Sequence, residues 1–162
     1  MSEETIDRLI LISINLITAF LLIFTVPKDK FREASVVFFF KQTMTWSMGL
    51  IIVELGLIEY PIREFVKASG TSFSFEYFIY PSLCVIFNLR YPVGKLWKKV
   101  GWVLGFPTIM TLLEVIFERK TELINYIHWN WYMTWISLCL TFLISRTYFL
   151  WIYRKRGKGY SW

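Results

Sequence analysis

The sequence predicts an all-α, polytopic membrane helix bundle of about five transmembrane helices, on three observations. The 162 residues are 56% hydrophobic and 20% aromatic, with a mean hydropathy of +0.47, more apolar surface than a soluble domain of this size can hide. The apolar residues come in runs near the ~20 residues an α-helix needs to cross ~30 Å of hydrocarbon. No run alternates apolar with polar residues as a barrel strand would. The length allows one domain, a single integral membrane domain over 1–162.

The first apolar segment covers about 9–26 and is stopped at Pro27, in PKDKFRE. The second covers about 34–59 and is stopped at Pro61; Lys41 interrupts it, which leaves its continuity open. The third covers 71–89, with Pro92 following it, the fourth 100–117 and the fifth 131–152. Proline cannot continue a helix without losing a backbone hydrogen bond, so Pro27, Pro61 and Pro92 make good boundaries. Pro81 and Pro107 fall inside the third and fourth segments. They read as kinks healed by neighbouring helices, the alternative being broken helices that line an ion site. Gly101 and Gly105 form one small-xxx-small pair, which either packs two helices closely or is chance spacing.

Orientation follows from the basic residues. With alternating connections, one side carries eleven Lys and Arg (Lys28, Lys30, Arg32, Arg90, Lys95, Lys98, Lys99, Arg154, Lys155, Arg156, Lys158). The other carries five (Arg8, Arg63, Lys67, Arg119, Lys120). The positive-inside rule then places the N-terminus outside and the C-terminus in the cytoplasm. Tyr126, Trp129 and Trp131 mark the outer interface, and Trp97, Trp102 and Trp151 the inner one. The C-terminal YRKRGKGYSW reads as a basic anchor to anionic lipid or as a plain stop-transfer tail. This distribution accounts for the net charge of +6, so no nucleic-acid partner is expected. The acidic start, MSEETIDR, followed by no small-residue cleavage site, is not what a cleavable signal peptide looks like.

Charges inside the spans carry the functional expectation. Glu54, Glu76 and Glu114 sit on three different segments, and a carboxylate in hydrocarbon costs roughly 2.5 kcal/mol or more. On the boundaries above, all three lie within ~5–8 Å of the outer end, with Asn15 at a similar depth. His128, in IHWNWY, is placed at the mouth of such a cluster. Lys41 and Arg146 fall towards the inner side, where both are expected to snorkel to the headgroups; for Lys41, Glu33 is a second target. A carboxylate cluster of this kind binds a cation, passes a proton or holds helices together by neutral hydrogen bonds. The bland alternative is three glutamates capping helix ends and reaching polar headgroups. Cys84 and Cys139 have no Cys-x-x-Cys spacing and no histidine nearby, so no metal is expected. No phosphate loop, zinc motif or nucleophile elbow is present, and neither a cofactor nor a catalytic residue is expected.

The stretches KQTMTWSMGLIIVELGLIEYPIREF, SFSFEYFIYPSLCVIFNLRYP and YIHWNWYMTWISL are distinctive. Their pattern resembles that of an uncharacterised family of small multi-pass membrane proteins from endospore-forming Gram-positive bacteria. The resemblance covers most of the chain and implies a multi-pass protein of a bacterial cytoplasmic membrane. It carries no activity, substrate or ligand. The expectation is therefore a small protein for ion or proton transport, conduction or sensing through an outer carboxylate cluster. The alternative is a non-catalytic assembly or interaction partner in the cell envelope; a lipid-active enzyme is the remote third. Five helices are few for a complete transporter, so a homodimer or a hetero-complex with another membrane protein is expected in either case.

Overall fold

In lipid, a helix is the one open-ended backbone form that satisfies its own N–H and C=O groups. The computed structural model, which describes residues 3–154, builds five helices from the apolar runs: α1 (Glu3–Thr25), α2 (Phe31–Glu54), α3 (Tyr80–Leu89), α4 (Leu96–Lys120) and α5 (Trp131–Arg154). A 3₁₀ turn, Lys28–Lys30, leads into α2, and a π-helical stretch, Ser74–Ile79, leads into α3. Four of the helices, α1, α2, α4 and α5, are long and apolar enough to cross a membrane. The remaining helix, α3, is shorter; it packs on α1, α2 and α5, while α4 is held mainly by α5. The fold is a polytopic membrane helix bundle.

The apolar side chains point outward as well as inward. Leu16, Ile17, Phe20, Ile23 and Phe24 give α1 an exposed apolar face, and Leu112, Ile116 and Ile109 do the same for α4. Lys41, Glu76, Glu114 and Arg146, by contrast, are buried. Two apolar clusters brace the interior. Val37, Cys84, Phe87, Phe142 and Phe149 form one between α2, α3 and α5. Leu11, Ile58, Tyr60, Phe75 and Leu123 form the other, under the loops at the opposite end.

Several boundaries move from where the sequence places them. Helix α2 runs unbroken through Lys41 and stops at Glu54, not Glu59. The stop is a Schellman motif: Gly56, at φ +64°, donates its N–H to the Val53 carbonyl (2.9 Å), and Leu57 donates to Ile52 (3.1 Å). Helix α4 extends to Lys120, so Glu114 lies six residues, about 9 Å, from its end. Pro107 is accommodated inside continuous helix. A Cβ added at Gly101 or Gly105 would meet nothing within 4 Å, so the pair makes no close helix packing among the described residues. The basic residues Lys155, Arg156 and Lys158 lie outside the described residues.

Pro81 shapes the approach to α3. It has no N–H to give, so neither the Tyr77 carbonyl (α register) nor the Glu76 carbonyl (π register) can be closed by residue 81. Helix α2 satisfies both: Gln42 Nε2 donates to Tyr77 O at 2.8 Å and Thr45 Oγ1 to Glu76 O at 2.6 Å. The π stretch is thereby stitched to α2 at the two carbonyls the proline leaves open.

At one end of the bundle the loops form a cap. Strands β1 (Ile58–Glu59) and β2 (Asn125–Tyr126) pair antiparallel, Ile58 opposite Tyr126 and Glu59 opposite Asn125. Arg63 ties the first loop down by donating to the carbonyls of Tyr60 (2.7 Å) and Ser69 (2.8 Å). The cap carries Tyr60, Tyr126 and Trp129 over the helix ends.

Candidate functional site

Beneath the cap lies a small cavity of about 60 Å³, with ionisable and hydroxyl side chains set into mostly apolar walls. One face of α2 supplies Lys41, Thr45 and Gly49; one face of α5 supplies Thr134, Ser137 and Thr141. Both sets follow the 3.6-residue period. The π stretch brings Glu76, α3 brings Tyr80, α4 brings Glu114, and the cap brings Ile58, Tyr60 and Trp129. Met48, partly exposed on α2, also lines the cavity.

Three ionisable side chains from three helical segments therefore face one space. Lys41 is 0% exposed, and Glu76 and Glu114 are each 7% exposed. The Lys41 Nζ donates to Thr141 Oγ1 at 2.5 Å and lies 4.8 Å from the Phe142 ring centroid. Among the described residues, no carboxylate comes within 4 Å of that ammonium. Lys41 and Glu76 nevertheless line the same cavity.

The two carboxylates are held differently. Glu114 is fully engaged: Oε2 accepts from Tyr80 (2.6 Å), and Oε1 accepts from Tyr126 (2.6 Å) and Thr134 (2.8 Å). Thr134 is itself fixed by Trp129 Nε1 at 2.8 Å. Glu76 accepts one hydrogen bond, from the Tyr60 hydroxyl to Oε1 at 3.1 Å, and its other oxygen has no protein donor among the described residues. Glu76 reaches the cavity over Gly49, where a Cβ would stand 2.9 Å from its Cγ. Burial, reinforced by the Glu76 carboxylate, pushes the Tyr60 phenol well above its usual 10.0. Burial and Glu114 push Tyr126 the same way. Both cap phenols therefore keep their protons at neutral pH and act as donors. Tyr80 and Glu114 also wall an apolar groove of about 270 Å³ between α1 and α4, so their hydrogen bond stands between the cavity and that groove.

The residues singled out from sequence divide. Glu76, Glu114 and Lys41 come together. Glu54 does not: the helix stop at Gly56 makes it the exposed last residue of α2, outside the cavity. His128 is an exposed cap residue, held through its backbone N–H to Leu57 O (3.1 Å), and does not line the cavity. Asn15 donates to Ser74 Oγ at 2.6 Å, and Ser74 in turn donates to Glu64, a chain that fixes α1 to the start of the π stretch. Lys41 does not snorkel: ending α2 at Glu54 makes it the eleventh of twenty-four residues, mid-helix, with its ammonium on Thr141. Arg146 does not snorkel either, being 2% exposed. Its guanidinium stacks 4.0 Å from the Tyr91 ring centroid and donates to Asn88 O (3.2 Å). Sequence reading missed Tyr60, Tyr80, Tyr126, Thr45, Thr134 and Thr141. The regular spacing of hydroxyls on α5 and of Lys41, Thr45 and Gly49 on α2 was the signal available for part of that set. Cys84 is buried and Cys139 half-buried, both as free thiols, and no group of three potential ligands gathers for a metal among the described residues.

The class defined by fold and site is a membrane helix bundle with a charged internal cavity. No protein-family model, curated protein or solved structure matches the chain.

Proposed function

We propose that this chain is a small integral membrane protein whose Lys41–Glu76–Glu114 cavity takes up and releases protons or small cations, in transport, conduction or sensing. The carrying observation is that these three buried charges surround a shared space without closing into an ion pair. Burying charge is repaid only by close pairing and full hydrogen bonding. A purely structural cluster would close the gap; an open one keeps room for an exchanging charge. We place the cap outside and the basic connections in the cytoplasm, on the Lys and Arg distribution. The resemblance noted above supports a bacterial cytoplasmic membrane.

The alternative is a membrane assembly or interaction partner, docking through a helix face onto a second copy or another membrane protein. One observation favours it: Gly101 and Gly105 on α4 leave open space where a partner helix could approach.

The test is flux into liposomes carrying the purified protein, read with internal pH and cation indicators. Wild type is expected to conduct or exchange, Glu76→Gln to lose at least tenfold, and Glu54→Gln to match wild type. A silent wild type over a range of pH and voltage, or unchanged flux in Glu76→Gln, overturns the proposal and favours the assembly reading.

A further inference from the structure

We infer that the cavity accommodates one monovalent positive charge at a time, with Lys41 as its built-in counter-ion and Glu76 as the ligand that exchanges. This deepens, and rests on, the reading of the cavity as a proton or cation site. The argument begins with formal charge. Helix α2 contributes one ammonium, Lys41; the π stretch and α4 contribute one carboxylate each, Glu76 and Glu114. The other titratable groups around them are neutral hydroxyls and a thiol: Tyr60, Tyr80, Tyr126 and, behind Lys41, Cys84. With both carboxylates ionised the site is one positive charge short. In a space this poorly solvated, an uncompensated charge is the expensive state. A single proton or alkali cation balances it; a divalent ion overshoots by one.

Hydrogen bonding says where that charge goes. Three hydroxyl donors already occupy Glu114. Glu76 has one oxygen without a donor, and Lys41 uses one of its three N–H groups, on Thr141. The incoming charge therefore competes with Lys41 for Glu76 while Glu114 stays fixed. Size points the same way. About 60 Å³ leaves room for a few waters at ~10–15 Å³ each, enough for a hydrated proton or a small ion but not for an organic substrate. The available donors beside Glu76 are hydroxyl oxygens, which suit a hard cation.

The test is charge balance in reconstituted protein. Wild type, Glu114→Gln, Lys41→Met and the double variant Lys41→Met/Glu114→Gln carry formal cavity charges of about −1, 0, −2 and −1 by this count. The probes are a pH step in alkali-free medium, then Na⁺, K⁺ and Ca²⁺ separately. Wild type should take up a monovalent probe and exclude Ca²⁺. Glu114→Gln should lose monovalent uptake at least tenfold. Lys41→Met should gain Ca²⁺ uptake, and the double variant should regain monovalent uptake to within threefold of wild type. Response to the pH step alone identifies the charge as a proton; a requirement for Na⁺ or K⁺ identifies an alkali ion. Size-exclusion profile and helical circular dichroism establish that each variant folds, and Lys41→Gln replaces Lys41→Met in both arms if the methionine variant does not. Uptake by wild type without rescue in a folded double variant, or Ca²⁺ uptake by wild type, overturns the charge count and leaves the cation reading standing. No uptake of any probe by wild type overturns both.

Discussion

At residue 49 a missing side chain is what admits a charged one. Gly49 sits on the cavity face of α2, and a Cβ there would lie 2.9 Å from Glu76 Cγ, 3.0 Å from its Cδ and 2.9 Å from Thr71 Oγ1. Gly49→Ala is therefore expected to push Glu76 out of the cavity and to cost about 1–3 kcal/mol through overpacking. Flux should fall at least tenfold while thermal unfolding in detergent still shows a cooperative transition; unchanged flux would mean that Glu76 has another route to the site. Lys41 teaches a similar lesson. Its presence in an apolar run was plain in the sequence, but its direction depended on where α2 ends, and the glycine that ends α2 is Gly56, fifteen residues away. Reading the Leu-Gly-Leu at 55–57 as a helix C-terminus would have moved Glu54 to the surface and Lys41 to mid-helix.

At the scale of the element, Pro81 is more than a kink. By withholding one N–H it leaves two carbonyls open, and Gln42 and Thr45 tie both to α2. Glu76 belongs to the same turn, so the proline sets the angle at which the carboxylate leaves the backbone. Pro81→Ala supplies the missing donor, and the π stretch is expected to relax to α-helix. That rotates Glu76 relative to α3 by about 100°, the angular step of one residue. The expected outcome is unchanged helix content by circular dichroism with flux reduced at least tenfold, and faster amide exchange over Ser74–Ile79. Wild-type flux in this variant would show that the π register does not position Glu76. The sequence marks the proline, but not which element would take up its orphaned carbonyls, because that partner lies thirty-five residues away for Tyr77.

At the scale of the molecule, the helices are apolar on their outer faces while Lys41, Glu76, Glu114 and Arg146 within the spans are buried. The cap that closes one end also delivers Tyr60 and Trp129 to the cavity wall, and Tyr126 to Glu114 behind it. If the basic connections face the cytoplasm, the cap faces outward and lies between the cavity and the outer side. Lys67→Cys in the cap and Lys95→Cys in the opposite loop test this in whole cells. A membrane-impermeant maleimide should label position 67 directly and position 95 only after permeabilisation. The reverse pattern would invert the orientation.

The amino-acid sequence by itself determined the fold class, the number of helices and some of their limits, because helix length and hydropathy are local consequences of crossing hydrocarbon. It also marked Glu76 and Glu114 as candidates for a cation or proton site, and Lys41 as an inner-side charge. Tertiary structure alone decided which charges meet. Side-chain direction depends on helix rotation, on the stop at Gly56, on the π turn before Pro81 and on a cap built from residues sixty-eight positions apart, Ile58 and Tyr126. Depth along the membrane normal can be counted from a sequence; direction around a helix is set by packing against other helices, and only the assembled bundle contains that information.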